Sequence, residues 1–186
     1  LNPITASKEM YEPFHKLKFA FSASYFDQMR VFAPKVAKEK NAKKVCTLYQ
    51  DDDFGTEVMN GAEAGLKTIG MSLAEKTTYK TGATDFSSQV ARLKAAECDM
   101  VILGTVLRET IGTIATARRT GFNPTFLGSS AAYFDLVHKL GGKAMDGLYA
   151  TMTVQNPYLD SASQPLRFWA TKYKTKFNEE PAVFSV

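Results

Sequence analysis

Short apolar runs rich in β-branched and aromatic residues alternate with amphipathic stretches of helical period along this chain, at a spacing of roughly 24 to 29 residues. That rhythm constrains the fold more than any other feature. A strand, a helix and another strand in close succession place the two strands parallel, with the helix on one face of the sheet. The runs predicted as strands are 44–49, 72–79, 100–103, 124–127 and 148–154, with an earlier one at 19–21. Helices are expected over 25–40, with Ser22 or Ser24 as cap, and over 56–69, closed by Gly70. Another is expected after Thr84 or Asp85, with Phe86, Val90 and Leu93 on one face. The remaining helices are expected over 109–120, with Ile111, Ile114 and Ala115 inward, over 132–140, and over 163–177. Residue identity does not repeat with the period, so the chain is no solenoid. The fold expected is α/β: a doubly wound, mostly parallel sheet with helices on both faces.

The 186 residues, 45% hydrophobic and 23% charged, suit a globular domain able to bury a core without covalent staples. No run approaches the ~20 apolar residues of a membrane span. The start, Leu1-Asn2-Pro3-Ile4, lacks the segments of a secretion signal. Cys46 and Cys98 are too few for a disulfide scaffold and lack metal-ligand spacing, so both are expected as structural residues. Cys46, inside an apolar strand run, is expected to behave as a free, buried thiol. The net charge of +4 comes largely from lysines near helix ends, such as Lys35, Lys38, Lys40, Lys43 and Lys44. They interleave with no aromatic reading surface, and nucleic acid is not an expected partner.

In open α/β sheets ligands bind outside the carboxyl ends of the strands. Four segments fall there: 50–55, 105–108, 129–133 and 151–153. Asp51, Asp52 and Asp53 invite a metal reading, but adjacent carboxylates rarely converge on one cation and the calcium-loop spacing is absent. A turn that caps the following helix accounts for them. A phospho-receiver would place acids here too, yet Gly104-Thr105-Val106 and Gly128-Ser129-Ser130 stand where its other residues would be. No dinucleotide, P-loop or nucleophile-elbow motif is present, no cofactor is implied, and His15 and His138 fall too far from one another's segments to share a catalytic role. Ser129 and Ser130 serve as a helix cap or as part of an anion site. What remains is a strand-end crevice of Phe54, Val106, Ser130 and Tyr133 with Arg108 nearby. It is mostly apolar with a few orienting polar groups, as small-molecule sites are. Neither catalysis nor a bound metal is expected.

Three stretches, residues 44–70, 84–104 and 117–130, resemble the Leu/Ile/Val-binding family of type I periplasmic binding proteins. The most specific piece is Asp85-Phe86-Ser87 followed by Leu93-Lys94; Tyr49, Asp51, Asp52, Phe54 and Gly55 form a second. The resemblance runs in order from about Phe19 to the end. It implies that residues 18–186 are the C-terminal lobe of a two-lobed receptor, with 1–17 as a hinge-proximal lead-in. The partner lobe, half the ligand site and any signal peptide would then lie outside this chain. In amino-acid-binding members this lobe supplies an aromatic, a Tyr and a Glu, the last two holding the ligand's ammonium. The corresponding positions here are Phe54, Val106 and Ser130. Burying a charge without its partner costs about 3–5 kcal/mol, so an ordinary amino acid fits poorly. A ring acid fits better, its ring on Phe54 and Tyr133 and its carboxylate on hydroxyls, backbone N–H groups or Arg108. The resemblance further implies export to the periplasm, hinge closure over the ligand, and presentation to the membrane permease of an ABC uptake transporter. The alternative is a ligand-sensing domain of a regulator with the same fold.

Overall fold

The computed structural model describes residues 5–20 and 22–185. The chain divides into two compact units, Leu1–Thr151 and Met152–Val186. In the first, helices α1 (Tyr25–Glu39), α2 (Asp53–Lys67), α3 (Ser87–Ala95), α4 (Leu107–Arg119) and α5 (Asp135–Gly141) alternate with strands β1 (Val45–Gln50), β2 (Leu73–Tyr79), β3 (Met100–Gly104), β4 (Thr125–Gly128) and β5 (Leu148–Ala150). The strands form one sheet in the order β2-β1-β3-β4-β5, and every pairing is parallel.

Side chains alternate across a strand, and here the alternation sorts two cores. Val45, Met100, Ile102 and Leu127 face α1 and α2, where Met29, Ala33, Val58, Ala62 and Leu66 meet them. Cys46, Leu48, Val101, Leu103 and Phe126 face the other way, against Val90 and Leu93 of α3, Ile114 and Ala117 of α4 and Val137 of α5. With all five residues of β3 buried, the central strand is covered on both sides, as its continuous apolar run requires. The doubly wound arrangement is the expected one.

Helices α1 and α2 cross at backbone distance. A Cβ at Gly61 would lie 2.3 Å from the Phe26 carbonyl oxygen, and one at Gly65 would lie 2.4 Å from that of Arg30. Glycine is required there by space, since neither backbone can yield without moving a whole helix. Gly65→Ala is accordingly expected to destabilise the unit by about 2–3 kcal/mol, read as a lower midpoint in urea at unchanged slope. An unaltered midpoint would show that the helices separate freely.

Several expectations need correction. The 19–21 run forms no strand at Phe19 and Ala20, and Phe21 lies outside the described residues. The expected helix over 132–140 is broken: a 3-10 turn at Ser130–Ala132 gives way to extended backbone at Phe134 before α5 begins. The last strand is three residues long and does not reach Val154. In α4 the deeply buried face carries Glu109, Thr110, Thr113, Ile114, Thr116 and Ala117, with Ile111 and Ala115 only half-buried. Thr110 satisfies its hydroxyl on its own helix, donating to the Val106 carbonyl at 2.8 Å, whereas the buried Thr113 hydroxyl has no partner among the described residues.

The largest correction concerns the cysteines. Cys46 and Cys98 are joined in a disulfide, with Cα atoms 5.9 Å apart, and no free cysteine remains. Parallel pairing of β1 directly with β3 brings together residues separated by 52 positions. The turn before β3, with Glu97 at φ 56°, aims Cys98 at the buried β1 face.

The second unit contains α6 (Gln164–Phe177), which begins after Ser163 and ends on Asn178 in the left-handed conformation, whose N–H donates to the Lys174 carbonyl. Trp169, Tyr173 and Phe177 stack along one side at i, i+4 spacing, with ring centroids 5.5 and 4.6 Å apart. Among the described residues no helix is long and apolar enough to cross a membrane.

Candidate functional site

The sheet order reverses direction beside β1, since the chain runs outward to β2 and then back past β1 to β3. The crevice at such a switch point, outside the carboxyl ends of β1 and β3, is where this fold places ligands. The segment after β1 is shaped by its acids. Asp52 caps α2, accepting the Gly55 N–H at 3.0 Å, and Gln50 Nε2 donates to the same carboxylate. The Asp51 N–H donates to the Tyr79 carbonyl at 2.8 Å. Asp53 is the first residue of the helix, where a negative charge complements the dipole. Among the described residues no three His, Cys, Asp or Glu side chains converge as metal ligands.

Phe54 occupies the first turn of α2, half-buried, with the Tyr25 ring edge-on at 4.8 Å. The pair forms an aromatic shelf where α1 and α2 begin. Val106 precedes α4 and is 39% exposed. No side chain caps that helix, so its first-turn N–H groups have no side-chain acceptor from the cap position. Beneath it, Thr105 and Thr110 share a hydrogen bond of 2.6 Å between their hydroxyls.

After β4, Ser129 caps the 3-10 turn and is fully buried. Ser130 belongs to a network centred on Gln28, a residue of α1 that is only 5% exposed. Gln28 Nε2 donates to Ser130 Oγ at 3.0 Å and to the Ala23 carbonyl at 2.8 Å. Gln28 Oε1 accepts the Ser130 N–H at 2.9 Å and the Thr151 hydroxyl at 2.7 Å. One amide thus ties the ends of β4 and β5 to the start of α1. Ser130 Oγ accepts within this network, which leaves its own O–H to donate. Tyr133, half-buried, closes the same turn through its N–H to the Ser130 carbonyl.

Phe54, Val106, Ser130 and Tyr133 therefore all lie in segments that follow the strand ends. Arg108 is exposed on α4 and lines a separate cavity of about 160 Å³ with Gly82, Ala83, Thr84, Phe86, Glu109 and Gly112; none of the other four takes part in it. The Tyr79 hydroxyl lies 3.3 Å from Gln50 Oε1 and 3.4 Å from the Gly104 carbonyl oxygen, and its one proton is donated to one or the other. Burial, with the negative charges of Glu109 and Asp52, raises its pKa above the usual phenol range, so it stays a neutral donor between three strand ends. His15 and His138 are both exposed, the former accepting the Leu17 N–H at 3.2 Å and the latter near the end of α5.

Sequence reasoning missed Gln28, Tyr25 and Tyr79. Gln28 carried a usable signal: a lone amide on the stripe of Met29, Ala33, Val36 and Ala37 that packs inward. Tyr25 and Tyr79 carried none, because an aromatic at a helix start or strand end is equally common in a core.

Known proteins resemble this chain throughout. The family described as Periplasmic binding protein matches residues 4–186. A Leu/Ile/Val-binding protein homolog 7 of Brucella suis is 25% identical over 152 residues, which are 80% of this chain and 38% of the relative. A substrate-binding periplasmic protein from Ralstonia solanacearum superposes with a TM-score of 0.84 at 20% identity, over 100% of this chain and 52% of that one. An ABC transporter solute binding protein from R. palustris, solved in complex with 4-hydroxybenzoate, gives a TM-score of 0.76 at 20% identity, over 90% of this chain and 46% of that one. The chain thus spans well under half of its curated relative and about half of the solved structures. With the match running from residue 4 to residue 186, the chain belongs to the periplasmic binding protein family.

Proposed function

We propose that this chain is the C-terminal lobe of the substrate-binding component of an ABC uptake transporter, exported to the periplasm, and that it captures a small carboxylate between two lobes by hinge closure. An aromatic acid is favoured over a branched-chain amino acid. The observation that carries the preference is the composition of the crevice: Phe54, Val106, Ser130 and Tyr133 include no carboxylate to hold an ammonium. Ser130 is already bonded to Gln28, and its remaining capacity is to donate, as a ligand carboxylate requires. The uncapped N–H groups of α4 offer further donors. The Phe54–Tyr25 shelf supplies a face for a ring. The R. palustris structure with 4-hydroxybenzoate supports the reading by its fold, and the Brucella suis relative supports the wider solute class by its name. The buried disulfide suits an oxidising compartment. Binding without catalysis is the reading in keeping with the binding proteins that this chain resembles. The closed receptor is then presented to a membrane permease.

Titration of this chain with 4-hydroxybenzoate and with leucine, followed by amide chemical shifts, tests the reading. If the intact receptor binds near micromolar, one lobe making about half the contacts holds its ligand at about millimolar. The ring acid is expected to move the amides of Phe54, Leu107 and Ser130, and leucine to leave them in place. Shifts with leucine at those amides would sink the aromatic preference, and micromolar binding by this chain alone would sink the shared site.

A further inference from the structure

The cavity that takes Arg108 away from the crevice holds a second unusual group. Glu109 is 4% exposed, and its Oε2 has no hydrogen-bond partner. A buried carboxylate oxygen without a donor is rare and demands an explanation. Neighbouring residues on a helix do not face each other, so Arg108 is poorly placed to satisfy Glu109 and sits in the exposed part of the lining. Phe86 forms another part of the wall, with Tyr79 packed edge-on at 5.4 Å. Gly112 keeps α4 close to that ring, since a Cβ there would lie 2.9 Å from Phe86 Cε2. Gly82, at φ +86°, turns the chain so that residues 82–84 complete the lining.

A buried carboxylate beside an aromatic ring is the environment that recognises a cation able to donate N–H bonds. The volume of about 160 Å³ limits the guest to a few heavy atoms. We infer that this cavity is a binding site for a small primary ammonium, with Glu109 as its anion and Phe86 as its apolar wall. The site is independent of the crevice formed by Phe54 and Ser130, and it stands or falls without the carboxylate reading above.

Methylammonium chloride is the probe, with sodium chloride at the same concentrations as the reference. The amides of Gly82, Ala83 and Gly112 are expected to shift saturably with methylammonium, at a Kd of about 1–10 mM, and to stay in place with sodium. Glu109→Gln keeps the shape and is expected to weaken binding at least about tenfold. Should that variant fail to fold, the exposed Arg108→Glu decides: replacing a cation in the lining by an anion is expected to tighten binding several-fold. Equal shifts in both salts would mean that water alone satisfies Glu109, and would overturn the inference. So would saturable binding unchanged in folded Glu109→Gln, or Arg108→Glu without tightening.

Discussion

Replacing Cys46 and Cys98 together by alanine is expected to lower unfolding free energy by about 4 kcal/mol. The crosslink spans 52 positions, and the chain entropy it removes from the unfolded state grows with the logarithm of that length. For a chain of this size the loss corresponds to a fall in melting temperature of about 10 °C. Dithiothreitol in native buffer should leave the disulfide intact, because Cys46 is fully buried and Cys98 is 4% exposed. In urea the same reductant should move the wild-type midpoint to that of the double variant. A midpoint indifferent to reductant would show that the two sulfurs are not joined in the folded protein.

Gln28→Ala should cost about 3–5 kcal/mol, because it orphans the Ala23 carbonyl, the Ser130 N–H and the Thr151 hydroxyl in one step. Gln28→Met keeps the length of the side chain and removes only its polar ends. Most of the loss should persist in that variant, and urea unfolding of the pair separates packing from hydrogen bonding. A Met variant as stable as the wild type would mean that the network contributes little. The same substitution frees the turn that carries Ser130 and Tyr133, so hydrogen exchange at Ala131 and Ala132 should accelerate even where the rest of the sheet stays protected.

How much of this could be read in advance depends on the range of the interaction. Strands β1, β2, β3 and β4 were legible because each is a short apolar run bounded by turn residues. Although the N-cap of α3 is Phe86 and neither Thr84 nor Asp85, Ser24, one of the two caps offered for α1, and Asp52, within the acidic run expected to cap the next helix, were legible for the same local reason. The break at Phe134 was not, since a 3-10 turn and an α-helix share their first hydrogen-bonding residues until the backbone at one position decides between them. The inward face of α4 misled because its buried positions are mostly threonine and Glu109, side chains that a search for apolar periodicity passes over. The segments of the crevice followed from strand ends alone. The displacement of Arg108 into a side cavity, and the capture of Ser130 by a residue 102 positions earlier, depend on packing between distant elements.

The two outer strands have a further consequence. An open sheet exposes unpaired backbone groups at its margins, where another chain can add itself as a strand. Here β5 is only three residues long, too short to template much. On the opposite margin, β2 carries Glu75 and Lys76, engaged by Arg92 at 2.5 Å and Glu63 at 2.6 Å. A strand docking there would have to accommodate both ion pairs. Lateral growth into aggregates is thereby discouraged.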